Sequence, residues 1–559
     1  MREIFEYLYK KCDWLKITND RISFCFGIYS FQYDVVFEFL ECIDLDDDML
    51  DKFNDNLPIE ELDFSLFSNN LVECVLLRGY TNIEEEDGED GDKGHYENEN
   101  SITYFSFQTL KKINKNYPNA ILDYNIGSLY IEDSCEGLGC PDNSWDYGFE
   151  IQINKKYCEN IEFYSSVIEI DKNLPDLSIP KFYNTKKELK HTFEINTLNS
   201  NTKTRRLGYL KILLKMLSEQ KVPISKINSK FEKYCQDYNQ YLEVHKNKKG
   251  NVIITKTGNS ANPYIELAVS LGLIHKSAGG YEVGKIGKVY NILKDKIDDQ
   301  NINPFVLSNF DTTFFLELLL KEDYWFLYAI MEQAAINPTI SYSKLRKEFK
   351  QILLKQIGQF IDEAQIDNKE KVIPLKIVER RINEWKKSEV YMEHVLMPRL
   401  NWLYDMELIE LRDDLSFSFT EIGERLFYNL SVWNDIALNQ IVSPNAYIDN
   451  YFMKIINFAF DLQKQKYTKK ANDEFVKCLE DSFVLFKTLA PNRITFSLFA
   501  NYTKQMLFWK YSEIIDTENI KNIFEKKQQP DYIYKYQEHY KDGYIQKNKS
   551  ICVNLINFN

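Results

Sequence analysis

The chain has 559 residues, 69 Lys and Arg against 84 Asp and Glu, a formal net charge of −15, 44% hydrophobic residues and only 20 Gly. That composition supplies several packed cores and excludes a disordered, collagen-like or disulfide-scaffold chain. At ~100–200 residues per domain the length points to three or four domains. The longest apolar stretches, such as 313–320, fall short of the ~20 residues that span a membrane, so a cytoplasmic protein with no membrane partner is expected.

The first hundred residues hold twenty-six Asp and Glu against eight Lys and Arg, about −18, and would repel a nucleic-acid backbone. The opening residues lack the apolar core of a signal peptide. Residues 21–43 are rich in aromatic and β-branched side chains and read as two strands, or a strand running into a short helix. Residues 84–100 are dense in acid, Gly and Asn and read as a solvated loop. The acidic run Asp44–Asp48 lacks calcium-loop spacing, since Leu50 and Asn56 stand where Gly and Glu are needed. Further strands are expected at 121–133, 147–157 and 161–170, which closes an acidic α/β domain over 1–196. Ten Cys without a CxxC pair read as buried, reduced thiols.

At about residue 203 the charge changes sign. Residues 203–289 carry sixteen Lys and Arg against six Asp and Glu, about +10, a candidate surface for a polyanion. Asn259-Ser260 and Asn262-Pro263 supply helix-start chemistry for a helix ending at Gly272. A strand over 273–276, a tight turn Ser277-Ala278-Gly279-Gly280, a strand Tyr281–Val283 and another helix follow. This order resembles a winged helix. In that family the helix before the hairpin enters the major groove and the hairpin touches backbone, which implicates Asn259, Ser260, Tyr264, Lys276 and the Gly279-Gly280 tip. Lys203, Arg205, Arg206, Lys246, Lys248, Lys249 and Lys256 are candidate phosphate contacts, several of them on an apparent hairpin over 245–258.

The pattern recurs about 135 residues later, with Leu408-Ile409 in place of Leu273-Ile274 and Gly423 in place of Gly287. Helices over 316–333 and 343–361 precede it. Asp413-Asp414 at the second turn disfavours DNA there, so this copy reads as an interface or spacer. The two winged-helix units are placed at 203–300 and 305–432. Residues 433–559 read as a helical bundle, with helices at 451–465, 474–490 and 494–515 and a Tyr-rich tail over 530–549 that is solvated or docks a partner.

No Walker loop, dinucleotide fingerprint, HExxH or GxSxG occurs. Metal-dependent nucleases of the restriction type place an Asp ahead of a (Asp/Glu)-x-Lys strand. Asp142 followed by Glu150-Ile151-Gln152 has that layout, but Gln152 replaces the Lys and Lys155 or Lys156 would have to serve. Mg²⁺ is implied by that alternative alone, and otherwise no cofactor is expected. The chain is thus expected to be an α+β multidomain protein similar in layout to multi-winged-helix restriction and phage-defence proteins, with a composition that suits a bacterial host. Its expected role is a non-catalytic, DNA-binding component of a defence or DNA-processing complex, with duplex DNA and other protein subunits as partners. The alternatives are the nuclease and a structural adapter whose basic island faces an acidic protein.

Overall fold

The computed structural model describes residues 2–12, 14–17, 21–28, 33–40, 74–81, 106–131, 144–157, 160–168 and 196–547, the last with gaps at 245–249, 298–301, 368, 386–387, 441–443, 469–471, 487–491, 527 and 538–541. The protein is a mixed α+β chain of two compact units. One comprises 1–187, 331–340 and 427–440; the other comprises 188–330, 341–426 and 441–559. The stretches 331–340 and 427–432, expected inside the second winged helix, and 433–440, expected in the C-terminal helical domain, therefore group with the acidic N-terminal part. Among the described residues no helix is long and apolar enough to cross a membrane.

The N-terminal unit is built on β1 (Trp14–Ile17), β2 (Arg21–Ile28), β3 (Tyr33–Leu40), β4 (Cys74–Thr81), β5 (Ile121–Ile131) and β6 (Ser144–Ile153). They form an antiparallel sheet in the order β1-β2-β3-β4-β6-β5. Alternation sorts its side chains: Phe24, Phe37, Phe39, Val75, Leu77, Phe149 and Ile151 are buried. Against them pack Phe5 of α1 (Arg2–Tyr9) and Tyr164, with edge-on ring contacts Phe5–Phe39 and Phe37–Tyr164 at 4.9 and 5.0 Å. A helix over 106–116, α2, buries Phe107, Leu110 and Ile113. The segment expected as a strand at 161–170 is instead helix α3 (Ile161–Ile168). The Asn160 carboxamide accepts from the Glu162 N–H at 2.9 Å, and Phe163, Tyr164 and Val167 share a buried helical face.

From Gly208 onward the chain repeats one plan of helix, strand, helix, helix, strand, strand. Its first copy runs α4 (Gly208–Glu219), Val222, α5 (Ile227–Val244), α6 (Asn262–Ser270), β7 (Ile274–Ser277) and β8 (Gly280–Val283), then α7 (Lys285–Ile297). Val222 and Tyr281 exchange backbone hydrogen bonds of 3.1 and 2.8 Å, which adds a third, one-residue strand beside β8. The second copy runs α8 (Asn309–Ile336), β9 (Ile340–Ser341), α9 (Tyr342–Asp367), an additional helix α10 (Lys369–Asn383), α11 (Ser388–Asp405), β10 (Ile409–Leu411), β11 (Ser416–Phe419) and α12 (Glu421–Gln440), with sheet order β10-β11-β9.

The two copies match in their bonds. The Leu273 N–H donates to the Ala268 carbonyl and that of Leu408 to Leu403, both at 2.9 Å, across left-handed residues Gly272 (φ 66°) and Glu407 (φ 58°). The next helix then starts against the same carbonyl: Gly284 N–H donates to Leu273 O at 2.8 Å, and Thr420 N–H to Leu408 O at 3.1 Å. A Cβ on Gly287 would lie 2.2 Å from Leu273 O, and one on Gly423 1.8 Å from Leu408 O, so glycine at this place is a packing requirement in both.

After α13 (Pro444–Ala459) and β12 (Gln465–Lys466), the plan occurs a third time, where a helical bundle with a free tail was expected. Helix α14 (Asn472–Leu485) and strand β13 (Arg493–Thr495) are followed by α15 (Phe496–Tyr511), β14 (Glu513–Ile514) and α16 (Thr517–Glu525). Strands β15 (Tyr532–Gln537) and β16 (Asp542–Lys547) complete it, with sheet order β13-β16-β15. The Tyr-rich segment is therefore a paired hairpin in its described residues. One core unites the set: Phe475, Leu479, Ile494, Phe499, Leu507, Ile520, Phe524 and Ile545 are all buried in a single cluster.

Buried charge joins the copies. Arg206, ahead of α4, is wholly buried against Asp405 at the end of α11. Asp311 of α8 takes Lys211 at 2.6 Å, Lys294 at 3.0 Å and the Tyr290 hydroxyl at 2.6 Å. Glu317 accepts from Lys504 at 3.1 Å and Gln505 at 2.9 Å in α15. Within the second copy, Arg399 grips Asp323 through Nε and Nη2 at 2.6 and 2.8 Å. Such pairs cost several kcal/mol when one partner is removed, because the other charge is left dry and uncompensated.

Candidate nucleic-acid interface

The basic island folds around a loop over 250–261 that leads into α6. The loop is irregular: of the hairpin expected over 245–258, the described part, 250–258, contains no strand, and 245–249 lie outside the described residues. Glu232 of α5, itself buried, organises it. Its carboxylate accepts from the backbone N–H of Thr255 at 2.8 Å, of Ser260 at 2.9 Å and of Ala261 at 3.3 Å, and from the Thr255 hydroxyl at 2.8 Å. Helix α6 begins with Pro263 in its first turn and has no side-chain N-cap of its own. A carboxylate from the neighbouring helix supplies that role, where the helix dipole favours an anion. Gly258 (φ 71°) lets the loop turn over α5, where its Cβ would lie 2.6 Å from Asn228 Cβ.

The candidate residues separate by location. Lys203, exposed, reaches the loop and donates to the Asn259 carbonyl at 3.1 Å. Arg205, half-buried, donates from Nε to Thr202 O at 2.7 Å and lies against Gly250. Lys256 and Asn259 are exposed on the loop itself. Lys203 thus meets the loop at Asn259, just ahead of α6, Arg205 meets it at Gly250, and Lys256 is exposed three residues before Asn259. Lys276 is exposed on β7 beside the hairpin turn, with Gly279 exposed at the tip. Gly280 (φ 140°) is buried against the Val222 carbonyl, 2.2 Å from its would-be Cβ. Lys221 adds a cation there that the sequence reading missed, its Nζ 3.3 Å from the position a Gly279 Cβ would take. Lys246, Lys248 and Lys249 lie outside the described residues.

Three candidates are corrected. Arg206 is fully buried with Asp405 and cannot meet a phosphate. Ser260 is buried, its hydroxyl accepting from the Ile253 N–H at 3.0 Å. Tyr264 is buried too; its hydroxyl accepts from the Arg206 N–H at 3.1 Å, and burial pushes its ionisation well above the usual phenol range. All three hold the module together.

Only part of the nuclease layout lies among the described residues. Glu150 pairs with Arg78 at 2.6 Å, and Arg78 also holds Glu38 at 2.7 Å. Lys155 and Lys156 are exposed in a short 3₁₀ turn beyond the strand. Asp142 lies outside the described residues, as do Asp44–Asp48 and 84–100. Of the described cysteines, Cys25, Cys235 and Cys478 are buried, and burial, aided by Asp481, pushes the Cys478 thiol up to about 12.

Comparison of the chain with family models, curated proteins and solved structures returned no match.

Proposed function

We propose that the protein binds duplex DNA by its phosphate backbone through the first helix–hairpin module, read as a winged helix, and that the other two copies of the plan are architectural. One observation carries this reading: the loop before α6 takes Lys203 at Asn259 and Arg205 at Gly250 and exposes Lys256, in a chain whose formal net charge is −15. Phosphate neutralisation by such cations releases counter-ions and makes affinity fall steeply with salt. The hairpin supports it with a second approach, through Lys221, Lys276 and the exposed Gly279. Titration of a fluorescent 24-bp duplex at several salt concentrations tests it. Binding at low salt with a clearly negative slope of log affinity against log salt is expected, and no binding at 50 mM salt overturns the proposal.

A second reading draws on the same module. Ile253 and Ile254 are 56% and 64% exposed on the 250–261 loop, and Val269 is 41% exposed on α6. Exposed aliphatic side chains beside cations suit an acidic protein partner as well as a nucleic acid. A double Ile253→Ser, Ile254→Ser variant separates the two: DNA affinity is expected to be unchanged, whereas an adapter surface would lose its partner.

A further inference from the structure

We infer that the first module engages DNA without reading its sequence, its substrate being B-form duplex as such; this rests on the DNA reading above. The helix that would face the bases is α6. Its Pro263, Tyr264, Ile265, Leu267 and Ala268 are buried in the module, which leaves Asn262, Glu266, Val269 and Ser270 toward solvent. None is a cation. Direct readout relies on Arg or Lys aimed at guanine and on a free Asn or Gln amide aimed at adenine. Here the Asn262 amide is already engaged at both ends: Nδ2 donates to Glu266 Oε1 at 2.7 Å, and Oδ1 accepts from Asn228 Nδ2 at 3.5 Å. The anionic Glu266 on the same face would be repelled by the phosphates that flank a groove.

The cations stand to either side of this face instead. Lys203, Arg205 and Lys256 belong to the 250–261 loop that leads into α6, and Lys221 and Lys276 lie at the hairpin. Contacts of that kind fix position and supply affinity but carry no sequence information. Glu266 is thus a specificity-determining residue in a negative sense: it keeps the helix face from settling onto base edges.

The test uses the full chain. Retained duplexes are sequenced after repeated selection from a random 20-bp library, and affinities for three unrelated duplexes are compared at one salt concentration. A flat enrichment profile and affinities within about threefold are expected. A reproducible motif, or one duplex preferred by tenfold or more, overturns the inference while leaving the DNA reading intact. Retention of no duplex removes the DNA reading itself, and this inference with it. Glu266→Lys supplies a second measurement: reversing one charge at a screened interface should raise affinity for all three duplexes alike by roughly threefold to tenfold. A gain confined to one of them, or no gain, shows that α6 does not lie over the duplex as inferred.

Discussion

Arg206 shows how a side chain that looks like part of a binding patch can be a structural ion. It follows Lys203 and Arg205 in sequence, yet its partner Asp405 is 199 residues away. Replacing Arg206 by Ala should cost ~3–5 kcal/mol in chemical denaturation, since Asp405 is then buried without its counter-charge. An Arg206→Met, Asp405→Leu double variant should recover most of that loss. Glu317 gives the pH dependence. Burial alone would raise its carboxyl, but the charges of Lys321 and Lys504 outweigh that and hold it down to about 2. A depressed carboxylate contributes stability that is full above its ordinary value near 4.5 and is lost as pH falls toward 2. Acid denaturation of Glu317→Gln should therefore show a weaker loss between those values than the parent, and equal slopes would contradict the assignment. Lysine clusters on a sequence are legible as charge, but whether each is wet depends on distant partners. Lys203 and Lys256 kept their place on the surface, while Arg206, Ser260 and Tyr264 did not.

Glycine and its absence distinguish equivalent turns among the elements. Gly272 and Glu407 occupy the same left-handed position after the third helix of each copy. Glu407→Gly should stabilise by ~0.5–1 kcal/mol by relieving that backbone, and Gly272→Ala should destabilise by about as much. Thermal denaturation of both variants checks the opposite signs. The hairpins at 274–283 and 409–419 were legible because an apolar helix, a turn and a glycine recur in one order. The third was hidden. Its strands Tyr532–Gln537 and Asp542–Lys547 alternate as strands do, but their exposed Lys, Gln and Tyr resemble a solvated tail. The decisive residue is Ile545, which is buried in a core drawn from α14, β13, α15 and α16. The mistaken strand at 161–170 has the converse cause: its β-branched and aromatic residues favour a strand, but Asn160 caps a helix and tertiary packing overrides propensity.

Across the whole molecule the three copies differ more in charge than in plan. From the sequence, residues 203–289 sum to about +10, with sixteen cations and six anions; residues 309–432 have sixteen cations and twenty-one anions, about −5; and residues 472–547 have eleven of each, about zero. A polyanion therefore has one favourable docking place among them. Lys203→Glu with Lys256→Glu should weaken duplex binding by at least tenfold at low salt and reduce the salt slope by about two. The exposed pair Lys376→Glu, Arg380→Glu on α10 should leave both quantities unchanged, and a matching loss there would spread the interface beyond the first module.

The buried ion pairs have a practical consequence for anyone dissecting the chain. A fragment of residues 203–300 would keep Arg206, Lys211 and Lys294 but leave behind Asp405 and Asp311, their counter-ions. A fragment that begins at 472 would likewise strand Lys504 without Glu317. Truncation at the natural-looking seams thus strips each piece of the opposite charges it was folded around, and a silent fragment in a binding assay would report its own unfolding rather than the absence of an interface.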